Sequence, residues 1–136
     1  MLPQLLRFGV VGGVGFIVDA GMIWLLLTQG LNPFVARALS FPAAVLVTWA
    51  LNRSWTFATG RTPGRIRELR SYVAVQLTGA AVNYSAYSLV VGIFGAAPIV
   101  IFGGVVLGSF IGLFVNFWGA RRFVFIGEPP KSSGPL

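Results

Sequence analysis

Few side chains in this chain are able to do chemistry. Its 136 residues include three carboxylates, Asp19, Glu68 and Glu128, against ten arginines and lysines, with no histidine and no cysteine. Lack of histidine removes the commonest metal ligand and neutral-pH base, and lack of cysteine removes disulfides and thiolates. Three scattered acids make no hydrolytic or redox centre, so the sequence speaks against an enzyme and gives no sign of a metal or cofactor.

One acid stands in an unusual place. Asp19 lies in Arg7-Phe-Gly-Val-Val-Gly-Gly-Val-Gly-Phe-Ile-Val-Asp-Ala-Gly21. A phosphate-cradling dinucleotide loop would need a strand, strict glycine spacing and a βαβ unit, and none is present. On a helix turning roughly 100° per residue, Gly12, Gly15 and Asp19 share one face, where the glycines permit close approach. A carboxylate inside an apolar span costs about 2.5–3.5 kcal/mol on insertion scales, so it faces a partner or a wet cavity.

The elements that must position Asp19 follow from composition. With 56% hydrophobic and 10% charged residues and a mean hydropathy of +0.83, the chain reads as an all-α integral membrane protein. Apolar runs at 8–27, 35–51, 72–94 and 99–120 predict four transmembrane helices in a single domain over 1–126. A polar, basic loop at 52–71 and the breaks Asn32-Pro33 and Gly95-Ala-Ala-Pro98 separate them, and the Pro- and Ser-rich 127–136 reads as a disordered tail. No small-residue cleavage pattern follows the first run, so it is expected to stay in the mature protein rather than act as a signal peptide.

Nine of the ten basic residues, all but Arg37, fall before the first run, in the middle loop or after the last run. The positive-inside rule therefore puts both termini and the middle loop in the cytoplasm. The net charge of +7 suits anionic lipid head groups, and nucleic acid is not expected, because the arginines hug span ends without interleaved stacking aromatics.

The halves repeat. With residue 8 over 72, Gly12, Gly15 and Asp19 fall on Gln76, Gly79 and Asn83; four residues further on in register, Trp49–Phe57 falls on Phe117–Phe125 and Arg53 on Arg121. Two parallel two-helix repeats are expected, with sites between them. Gly104, Gly108, Gly112, Asn116 and Ala120 recur every four residues in the last run, a small-residue packing stripe for a contact within the chain or in a homo-oligomer.

These residues carry a resemblance to the GtrA-like family of small membrane proteins over 7–125: Arg7-Phe8 with Gly12 and Gly15, then Asn52-Arg53-Ser54-Trp55-Thr56-Phe57. The second half continues it with Gln76, Gly79 and Asn83, then Asn116-Phe117 and Arg121-Arg122-Phe123-Val124-Phe125. Ala120 stands where the first half has Asn52, so a symmetrical use of that amide is not expected.

The resemblance implies a four-helix protein of the bacterial inner membrane that moves polyprenyl-phosphate-linked sugars across the bilayer for cell-surface polysaccharide synthesis, or that supports the glycosyltransferase using them. Arg53, Arg121 and Arg122, with Asn52, are then the phosphate ligands on the cytoplasmic side, since guanidinium forks grip phosphate bidentately. Asp19, Gln76, Asn83, Asn116 and Thr48 are the polar groups along the sugar's path. Arg37 either pairs with Asp19 to fix the first hairpin or takes the phosphate after crossing, and the two roles are compatible. A scaffold for a polyprenyl-phosphate glycosyltransferase is the alternative; a small proton-coupled multidrug exporter, with Asp19 as its acid, fits less well beside clustered arginines.

Overall fold

The computed structural model describes residues 1–58, 64–95 and 97–126. The expected disordered tail at 127–136 lies outside the described residues, as do Arg61, Glu128 and Lys131. Helix α1 (Leu2–Thr28) and α2 (Pro33–Leu51) form one hairpin, and α3 (Arg65–Phe94) and α4 (Pro98–Gly119) form a second. The chain divides accordingly into two compact units, Met1–Arg61 and Thr62–Leu136. All four helices are long and apolar enough to cross a membrane, as their hydropathy predicted.

Both hairpins are turned by the same devices. Gly30 (φ 82) and Gly95 (φ 86) take the left-handed backbone that stops the incoming helix. Pro33 and Pro98 then occupy the first turn of the outgoing helix, where a missing N–H costs nothing. Asn32 caps α2, its Oδ1 accepting from the Phe34 amide at 2.8 Å.

Two expectations need correcting. Helix α1 begins at Leu2 and α3 at Arg65, well before the apolar runs do. Hydropathy marks only what hydrocarbon tolerates, whereas Arg, Leu and Glu are good helix formers and carry the hydrogen-bonded backbone beyond it. The 52–71 stretch is likewise only partly loop, for α2 runs into a five-residue π turn, Asn52–Thr56, and α4 into another, Ala120–Val124. Phe57 N donates to Asn52 O at 2.8 Å and Phe125 N to Ala120 O at 2.9 Å, closing the two wide turns identically.

Packing inside each hairpin is a zipper of small residues. In α4, Gly104, Gly108 and Gly112 are buried against α3. A Cβ at Gly108 would lie 2.6 Å from Asn83 O, and one at Gly112 would lie 3.0 Å from Gly79 O. The stripe is thus consumed inside the second hairpin. Helix α2 carries the matching stripe in Ala36, Ser40 and Ala44, all buried. In lipid, such close backbone approach supplies the dispersion that holds helices together. Large apolar side chains point the other way: Phe16 is 72% and Phe34 84% exposed, surfaces that only a lipid solvent accommodates.

Gly12 does not join this packing. It is exposed, and a Cβ there would meet nothing within 4 Å. Gly15, one turn on, is the residue that meets α2, through Thr48.

Candidate functional site

At the turn end of the first hairpin, Arg37 Nη1 forms an ion pair with Asp19 Oδ2. Ser40 Oγ donates to the other carboxylate oxygen, Oδ1, at 2.7 Å. Arg37 and Ser40 lie one turn apart on α2, so both reach the same acid on α1. Asp19 is mostly shielded and Arg37 more than half exposed, its guanidinium 5.8 Å from the Phe41 ring centroid. The pair satisfies a carboxylate that hydrocarbon would otherwise penalise heavily.

Ser40 was not among the residues that sequence reasoning singled out. A lone serine in an apolar run carries no pattern; its position on the buried stripe, one turn past Arg37, is the only signal. Ser40→Ala is expected to destabilise the first hairpin by about 0.6 kcal/mol and at most about 1.7, the range for interhelical hydrogen bonds in membranes. Equilibrium unfolding in mixed detergent would measure it.

The second hairpin repeats the geometry without the charges. Asn83 takes the place of Asp19 and Gly108 that of Ser40, with Asn83 packed over Gly108 and Gly112. Deeper in, Thr48 lies against Gly15 and Asn116 against Gly79. The expected polar path is narrower than the residue types suggested, because Thr48 gives its hydroxyl proton to Val45 O at 3.0 Å in its own helix and faces Gly15 with its methyl. Asn116 Oδ1, by contrast, is a buried acceptor that finds no hydrogen bond among the described residues. Gln76, like Asp19, Asn83 and Asn116, is half-buried rather than turned out.

The opposite, open end of each hairpin is where the arginines gather. Arg53 sits half-buried in the first π turn, its guanidinium 5.8 Å from the Trp49 ring centroid. Neighbouring Asn52 and Thr56 are buried. Arg7 of α1 reaches across to the same turn, 5.7 Å from the Trp55 ring centroid and 3.4 Å from Trp55 O. In the second π turn Arg121 is half-buried and Arg122 exposed. Each turn is pinned by an aromatic pair at matching positions: Phe8 on Phe57 at 6.2 Å between centroids, and Tyr72 on Phe125 at 6.1 Å. Glu68, one turn before Tyr72, is fully buried, a placement that its polar surroundings in the sequence did not foretell.

Each hairpin thus offers an aromatic-braced turn presenting guanidinium groups at the edge of an apolar surface. Guanidinium groups so placed have the chemistry to pair with an anionic head group.

Comparison with known proteins agrees with this architecture. The family described as GtrA/DPMS, transmembrane domain, matches residues 7–125. A curated relative, a dolichol-phosphate mannosyltransferase from Pyrococcus furiosus, is 27% identical over 86 residues, which is 63% of this chain and 24% of the relative. The matched stretch therefore spans about a quarter of that relative's length.

Proposed function

The chain belongs to the GtrA/DPMS transmembrane-domain family and is a multi-pass membrane protein, and from that premise we propose that it moves a polyprenyl-phosphate-linked sugar across the bacterial inner membrane without altering it chemically. One observation carries the proposal: both hairpins end in the same braced π turn, with Arg53 in one and Arg121 and Arg122 in the other. These guanidinium groups receive the lipid phosphate on the cytoplasmic side, and the polyprenyl tail remains against the exposed apolar helix faces. The half-buried Asn83 and Gln76 replace water around sugar hydroxyls, and the buried, unsatisfied acceptor of Asn116 joins them if the helices part during transfer. Arg37, half exposed at the far end of the first hairpin, meets the phosphate after crossing while Asp19 keeps the guanidinium in place.

Transfer of a labelled polyprenyl-phosphate sugar into liposomes is the test. The wild-type protein is expected to exceed empty vesicles clearly. Arg53→Gln, and separately Arg121→Gln with Arg122→Gln, should each lower the rate by about tenfold, as loss of a charged hydrogen bond does. Transfer at the empty-vesicle rate for the wild type removes the proposal.

The relative's identity as a mannosyltransferase favours a second reading, in which the chain holds a glycosyltransferase at the membrane. Its contact would be the basic start of α3, Arg65, Arg67 and Arg70. Reversing those charges should release the enzyme in pull-downs, and unchanged recovery rejects the idea. A cation exporter is disfavoured because Asp19 is already neutralised by Arg37.

A further inference from the structure

The second hairpin contains an apolar groove with a cation at its mouth, and we infer that it seats the isoprenoid tail of a polyprenyl phosphate with the phosphate on Arg122. The lipid's identity rests on the functional reading above; the groove itself does not. It has a volume of about 600 Å³ and is lined by α3, α4 and the second π turn, within the range of pockets that hold small ligands. Helix α3 supplies Ser71, Ala74 and Thr78, α4 supplies Trp118, and the π turn places Arg122 and Phe123 at the rim.

The lining is apolar almost throughout. Thr78 contributes little polarity because its hydroxyl donates to Ala74 O at 2.9 Å. Gly119 fixes the floor, for a Cβ there would lie 2.6 Å from Val75 Cγ1, so the helices are as close as they can be. From Ser71 to Thr78 the groove follows α3 for two turns, roughly 10 Å. Among the described residues Arg122 has no hydrogen-bond or ion-pair partner, leaving its guanidinium to an incoming anion.

The two hairpins differ in the residues at this place. Arg7 stands in the first where Ser71 stands in the second, and Trp55 where Phe123 stands. Arg7 spans that gap, lying over the Trp55 ring and donating to its carbonyl. In the second hairpin the short Ser71 leaves the gap clear, and the cation has moved to the rim, where Arg122 replaces Ser54. An apolar trough ending in a guanidinium complements an amphiphile with an anionic head and a long hydrocarbon tail.

The test uses the full chain in nanodiscs with a polyprenyl phosphate bearing a diazirine near the head end of its tail. Labelling is expected on α3 and α4 around Ala74 and Trp118. Ala74→Phe, which fills the groove from an exposed position, should reduce labelling about tenfold, and Arg122→Ser should weaken it several-fold. Thr78→Leu gives the same readout should the phenylalanine variant not fold. Labelling unchanged by these substitutions, labelling confined to the first hairpin, or equal competition by phosphatidylglycerol would each overturn the inference. Lipid transfer is followed in parallel. Labelling lost in Ala74→Phe while the wild type transfers no lipid would uphold the groove and reject the transporter; wild-type transfer with labelling indifferent to Ala74→Phe would do the reverse.

Discussion

Arg37→Ala is expected to destabilise the first hairpin by about 2.5–3.5 kcal/mol, the penalty for an unpaired carboxylate within a span. The substitution strands Asp19, which keeps only its bond from Ser40. Removing both charges together should restore most of the loss, since breaking such a pair is worse than replacing it. Asp19→Ala combined with Arg37→Ala is thus expected to be more stable than Arg37→Ala alone. Detergent-titrated unfolding of the three proteins decides this: an Arg37→Ala protein as stable as the wild type, or a double variant no better than the single one, contradicts a structural role for the pair. Asp19→Asn separates structure from transport, because an amide oxygen still accepts from Ser40.

Gly108→Leu should do comparable damage to the second hairpin, roughly 3 kcal/mol, at the upper end of what overpacking costs. The new Cβ would lie 2.6 Å from Asn83 O and 2.7 Å from Asn83 Oδ1. A backbone carbonyl inside α3 has nowhere to retreat without breaking its own helix. Gly103→Leu, five residues before it on open surface with nothing within 4 Å of a Cβ, should change stability by no more than about 0.5 kcal/mol. Thermal unfolding of both variants, followed by near-ultraviolet circular dichroism, makes the comparison. Equal stabilities would mean that the stripe does not hold α4 to α3.

Hydropathy made the spans legible because lipid imposes one requirement over some twenty residues, and such a requirement leaves a broad signal. The glycine stripe of α4 was legible for a similar reason, as glycine has few other uses in a helix. Its counterpart in α2 escaped notice because Ala36, Ser40 and Ala44 are ordinary helix residues whose smallness matters only when another helix is near. The Asp19–Arg37 pair was foreseen as one of two roles, since a charge in oil needs a partner. The π turns left no compositional trace: hydrogen bonds to the fifth residue instead of the fourth involve backbone atoms, which every sequence supplies. Only the spacing of Phe57 and Phe125 from their arginines hinted that both hairpins end alike. The groove was invisible for another reason, as its lining, from Ser71 to Phe123, comes together only when α3 packs on α4.

The wide turns also bear on ancestry. Each holds one residue more than an α-helical turn, at the same register in both hairpins. Duplication of one hairpin that already carried the wide turn would place it at the same register in both halves. On that view Ser71 against Arg7, Asn83 against Asp19 and Ala120 against Asn52 mark where the two halves have diverged.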